Sequence, residues 1–137
     1  MTLDRDALVD GARRVLDRAY APYSGFRVGA AVQAEDGAMY VGCNLESASL
    51  GLTLCAERAA VAAAVAGGAT TVEAVAIVSE GDEPVAPCGA CRQVLAEFGM
   101  DMVVVSEAGG RREEWSLRRL LPAPFLAFRS TPNARSG

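Results

Sequence analysis

Between positions 3 and 20, apolar side chains recur every three or four residues: Leu8, Ala12, Val15, Leu16 and Ala19, with Arg and Asp between them. That period predicts an amphipathic helix over 3–20, with Thr2 as its N-cap. Ala21-Pro22-Tyr23-Ser24-Gly25 breaks it, since proline and glycine both disfavour continuation. The period then changes to two. Phe26, Val28, Ala30 and Val32 share one face of a predicted strand over 26–34. Glu35-Asp36-Gly37 carries a hairpin signal, and 38–45 returns as a second strand. A loop of small residues over 46–54 leads to a helix over 55–66 that stops at Gly67-Gly68. β-Branched residues over 72–78 predict a buried strand. An acidic, Pro-bearing loop over 79–86 precedes a helix over 88–98 that ends at Gly99. Positions 102–106 read as another buried strand, Ala108-Gly109-Gly110 as a turn and 111–115 as a short edge strand. A short helix over 116–121, capped by Ser116, ends at Pro122, and 125–128 is expected to pack back on the body. This order predicts a mixed sheet with helices on both faces and a site where helix starts meet strand ends.

Length and composition narrow the function. A chain of 137 residues suits one domain, placed here at 1–128 with a flexible tail over 129–137. With 51% hydrophobic residues it builds a core without disulfide staples. Net charge is −4 and no basic stripe is present, which argues against nucleic acid and for a small-molecule partner. The charged start and the short alanine-rich run over 59–66 give neither a leader nor a membrane span, so the expectation is a soluble cytoplasmic protein. In that compartment four cysteines point to metal or redox chemistry. The sequence has no histidine and no lysine. Catalytic triads, Schiff bases and Walker-type phosphate sites are thereby excluded.

Two segments carry the candidate chemistry. Cys55-Ala56-Glu57-Arg58 opens one predicted helix, and Pro87-Cys88-Gly89-Ala90-Cys91-Arg92 opens another. Three thiolates suit a tetrahedral zinc ion with one open position. Glu57, two residues after Cys55, reaches that position as a proton carrier. Helix starts favour thiolates, and Arg58 and Arg92 are expected to offset the remaining negative charge. Simpler readings stand beside these. Cys88 and Cys91 alone could form a redox pair, and with Cys43 the four cysteines could close a structural zinc module with no activity. Glu57 could be a favourable first-turn acid, Phe26 a core residue, Asn44 a turn residue and Phe125 a tail anchor.

The two segments resemble the cytidine deaminase family, in its small homotetrameric form with three cysteine ligands. The likeness extends through Tyr23-Ser24-Gly25-Phe26, Gly42-Cys43-Asn44-Leu45-Glu46, Arg92-Gln93-Val94-Leu95 and Leu120-Leu121-Pro122 followed by Phe125. The fold implied is a three-layer α/β/α arrangement on a mixed five-stranded sheet. The activity implied is hydrolysis of free cytidine and deoxycytidine at C4 to uridine, deoxyuridine and ammonia, as in pyrimidine salvage. Zinc would be held by Cys55, Cys88 and Cys91, zinc-bound hydroxide would be the nucleophile, and Glu57 would shuttle protons. Asn44 and Glu46 would bind the sugar hydroxyl, Phe26 the pyrimidine face, and Ala56 would line the base pocket through its backbone. Phe125 would reach a neighbouring subunit's site, and Arg58 would bond the thiolates. Where the family usually carries Asn and Tyr, this chain has Ser47 and Leu50. Substrate range and subunit contacts are the properties those departures touch. A deaminase of another aminated heterocycle, or of a cytosine nucleoside antibiotic, shares the zinc motif and is the alternative.

Overall fold

The computed structural model describes residues 2–127, and its elements follow the predicted order. They are α1 (Arg5–Leu16), β1 (Val28–Ala34), β2 (Met39–Cys43), a 3₁₀ turn at Leu50–Leu52, and α2 (Ala56–Ala66). β3 (Val72–Ser79), α3 (Gly89–Ala96), β4 (Val103–Ala108), β5 (Arg111–Ser116) and α4 (Leu117–Leu120) complete the chain. Phe128 and the proposed tail over 129–137 lie outside the described residues, as does the boundary drawn between them.

The five strands form one sheet in the order β2-β1-β3-β4-β5. β1 is antiparallel to both β2 and β3, β3 and β4 are parallel, and β5 returns antiparallel on β4. The sheet is therefore mixed, as the residue pattern predicts. α1 covers one face, where Leu8, Val9 and Ala12 pack with Ala31, Ala74, Ala76 and Val105. α2, α3 and α4 cover the other, where Ala60, Ala64, Leu95 and Leu117 meet Val32, Val75 and Val104. Burial on both faces explains why β3 and β4 read as continuous apolar runs rather than alternating ones.

The first helix differs from its prediction at both ends. Asp4, not Thr2, is the N-cap, accepting the Ala7 N–H at 3.0 Å. The helix stops at Leu16 because the backbone of Tyr20 is used elsewhere. Its N–H donates to the Asn44 carbonyl at 2.9 Å, and its carbonyl accepts from Glu46 at 2.9 Å. Periodicity alone cannot register a competing partner so far away in the sequence.

Two glycines set the spacing between layers. A Cβ at Gly29 would lie 2.0 Å from the Ala12 carbonyl of α1, and one at Gly42 would lie 2.4 Å from the Ala60 nitrogen of α2. Each lets a helix backbone rest directly on the sheet, one per face. Strand directions then place the end of β2, the start of β1 and the ends of β3 and β4 at one edge, since Gly29 faces Cys43 and Val28 faces Ser79. The loops into α2 and α3 leave from that edge.

Candidate metal and catalytic site

The approach to α2 is held by a small ladder. Leu45 and Leu54 exchange two backbone hydrogen bonds of 2.9 and 2.8 Å, so the stretch after β2 lies against the residue that leads into Cys55. Cys55 is then the N-cap of α2, and Cys88 the N-cap of α3. Neither side chain spends itself on capping, so both sulfurs remain available. Cys91 follows in the first turn of α3, fully buried, while Cys88 lies at the exposed rim. The three sulfurs lie within 4.8 Å of one another, with Cys55 and Cys88 3.9 Å apart. Tetrahedral Zn–S bonds of about 2.3 Å would set sulfurs about 3.8 Å apart, so the donor set fits zinc. All four cysteines are free thiols, and Cys43 lies outside this cluster. It lines a groove with Val15, Arg18, Tyr20 and Leu54. A closed four-cysteine module is therefore not what these residues build.

Charge at the cluster is uneven. The Cys55 thiol is pulled down to about 5, first by a hydrogen bond from Cys91 and then by the Arg58 guanidinium. Cys91 is driven up by that same bond to Cys55 and by burial. Arg58 Nη2 donates to Cys55 Sγ at 3.4 Å and to the Thr53 carbonyl at 3.2 Å. Its Nε is buried with no partner among the described residues, a spare donor beside a site made of acceptors. Glu57 is 6% exposed, and burial holds its carboxyl above the usual range. It interacts with both Cys55 and Cys91. A buried carboxyl thus stands beside Cys55 and Cys91, shielded from water.

A second group of predicted residues converges on Phe26. Asn44, 9% exposed, accepts the Val28 N–H at 2.9 Å and donates to the Phe26 carbonyl at 2.9 Å. Glu46 accepts the N–H groups of Tyr23 at 2.9 Å and Ser24 at 3.1 Å, and also the Ser24 hydroxyl. Ser24 Oγ accepts from the Phe26 N–H at 3.0 Å, and Glu80 accepts the Arg27 N–H at 2.9 Å and pairs with its guanidinium at 2.7 Å. Side chains thus hold the N–H groups of five residues between Tyr23 and Val28. The Phe26 ring stays 39% exposed and lies against Gly81. The sequence pointed to Asn44, Glu46 and Phe26; it gave no signal for Glu80, whose partner is 53 residues away.

Comparison with known proteins adds the decisive observation. The model of the cytidine and deoxycytidylate deaminase zinc-binding region matches residues 3–107. The chain belongs to this family. A cytidine deaminase from Sporosarcina psychrophila is 44% identical over 125 residues, covering 90% of this chain and 92% of that protein. One from Mycobacterium tuberculosis is 41% identical over 123 residues, covering 90% of each. The crystal structure of a cytidine deaminase from Burkholderia pseudomallei superposes with a TM-score of 0.85 at 44% identity, covering 90% of this chain and all of that one.

Ala56, 1% exposed, is the first residue of α2 between the thiol and the carboxylate. Arg92 Nε donates to the Pro87 carbonyl at 2.7 Å and its Nη1 to the Leu120 carbonyl at 3.0 Å. Phe125 is joined through its backbone to Gln93 on α3, and its side chain is 63% exposed. No helix among the described residues is long and apolar enough to cross a membrane.

Proposed function

We propose that the chain is a zinc-dependent hydrolytic deaminase of free cytidine and deoxycytidine. The observation that carries this reading is one buried carboxylate, Glu57, set against three converging thiols at two helix starts. Cys55, Cys88 and Cys91 would hold zinc, which would supply the Lewis acidity that makes water nucleophilic near neutral pH. Hydrolysis at C4 moves an electron pair onto N3 of the ring, which takes a proton, and N4 takes another before leaving as ammonia. Glu57 carries these protons. Burial raises its carboxyl above the ordinary range, the direction that favours proton transfer by a carboxyl group.

The other residues bind. Phe26 presents its ring to the pyrimidine face from a backbone that five side-chain contacts hold still. Asn44 and Glu46 bind the sugar with the hydrogen-bonding capacity they retain beyond that backbone. Ala56 lines the base pocket at the first turn of α2, where backbone N–H groups have no intrahelical acceptor.

The subunits associate as a tetramer and Phe125 enters a neighbouring site. Exposed apolar side chains support association, Leu50 being 77% and Leu52 73% exposed. Leu50 suits an apolar contact between copies. The enzyme works in the cytoplasm on nucleosides, not on nucleic acid.

An ultraviolet assay of the purified protein against cytidine, deoxycytidine, cytosine, adenosine and guanine tests the function. Turnover of the cytosine nucleosides is expected, and its absence for both overturns the reading. Sedimentation should give four times 14.2 kDa. Zinc content should be unchanged in Cys43→Ser.

A further inference from the structure

α3 carries two of the thiols in or before its first turn. Immediately after Cys91 come two side chains that turn away from them and reach the C-terminal segment. Arg92 grips the Leu120 carbonyl at 3.0 Å. Gln93 grips Phe125 more fully. Its Nε2 donates to the Phe125 carbonyl at 2.8 Å, and its Oε1 accepts the Phe125 N–H at 3.2 Å. One side-chain amide thus takes both backbone groups of a single residue, as a paired antiparallel strand would. Pro122 and Pro124 lie between the two grips and restrict the backbone there.

We propose that Gln93 is the positioning residue for Phe125, setting the aromatic from the same helix that sets Cys88 and Cys91. This rests on the reading of Phe125 as a ring lent to a neighbouring nucleoside site. Two features favour it over simple anchoring of a tail. Leu120 and Leu121 already pack on the core, but apolar contact is non-directional and tolerates slippage along the chain. Two opposed hydrogen bonds to one residue fix register. They also engage backbone groups alone, so they hold position 125 without using its ring.

The test is a cycle of Gln93→Leu, Phe125→Ala and the double variant in the full-length zinc enzyme. Phe125→Ala should raise KM for cytidine about tenfold. Gln93→Leu should raise it about fivefold, with kcat and zinc content unchanged. Because Gln93 acts through Phe125, the double variant should be no worse than Phe125→Ala. Amide exchange at Phe125 should also quicken in Gln93→Leu. Gln93→Glu keeps the size and replaces the donor with an oxygen facing the Phe125 carbonyl, so it should reproduce the KM increase. An unchanged KM in both Gln93 variants, beside a raised one in Phe125→Ala, overturns the positioning role alone. Additive effects, or loss of zinc in Gln93→Leu, overturn it in favour of a structural role for α3. An unchanged KM in Phe125→Ala overturns the reading of Phe125 and this inference with it.

Discussion

The starts of α2 and α3 hold the same ingredients, a cysteine at the N-cap and an arginine within the next four residues, yet they use them differently. Arg58 stands three residues after Cys55, one turn along the same face, and its guanidinium reaches the sulfur at 3.4 Å. Arg92 stands four residues after Cys88 and one after Cys91. It bonds the Pro87 and Leu120 carbonyls instead. The buried Glu57 also belongs to α2. The buried carboxyl and the arginine–sulfur contact therefore lie at one helix start, while the other supplies two sulfurs. A Cys–Arg neighbourhood in a sequence does not by itself say which acceptor the guanidinium takes.

The largest effect should come at α2. Glu57→Gln is expected to lower kcat by about 10²- to 10⁴-fold while retaining zinc, read from steady-state kinetics beside metal analysis. Retained activity would remove the proton carrier from the chemistry helix. Next, Arg58→Ala should weaken zinc about 10- to 100-fold, because it removes a direct donor to a ligand sulfur; competition with a chelator reads this. Arg92→Ala should leave zinc affinity unchanged and cost about 1–3 kcal/mol of stability in urea unfolding, the loss of two charge-assisted hydrogen bonds. Equal zinc losses in the two arginine variants would erase the distinction between the helix starts.

The smallest effect should lie at the opposite end of the sheet, where it serves as a control. Glu35 accepts the N–H groups of Thr70 at 2.9 Å and Thr71 at 3.1 Å, which with both hydroxyls hold it down at about 2 from an ordinary 4.5. A depressed folded pKa gives stability that is complete above pH 4.5 and is lost as pH falls toward 2. Glu35→Gln should therefore lower the urea midpoint at pH 7, by less than about 1 kcal/mol for so exposed a group. Its difference from wild type should narrow below pH 4.5, with activity and zinc untouched.

Local chemistry was legible in the sequence and long-range partners were not. The three thiols could be read because Cys88 and Cys91 lie within one helical turn and Cys55 opens a second helix. The mixed sheet could be read because its strands separate cleanly from helices by period and by glycine. The end of α1 could not, since Tyr20 is drawn off by Asn44 and Glu46. Nor could the true partners of Arg92, because the Leu120 carbonyl lies 28 residues away. Gln93 was visible within a matching motif, but its task depends on where Phe125 arrives. Glu80 and Glu35 read as ordinary loop acids until the backbone groups they hold are seen.

Gly42 limits how this chain can drift. With no side chain, β2 lies against the backbone of α2 at Ala56, Ala59 and Ala60, so even alanine would force the strand and the helix apart. Gly51 and Gly89, by contrast, face open space and have steric room to vary. Substitutions among descendants should therefore accumulate around the rim of the site while the contact beneath Cys55 and Glu57 stays fixed. The smallest residue in the strand is the one with the least freedom to change.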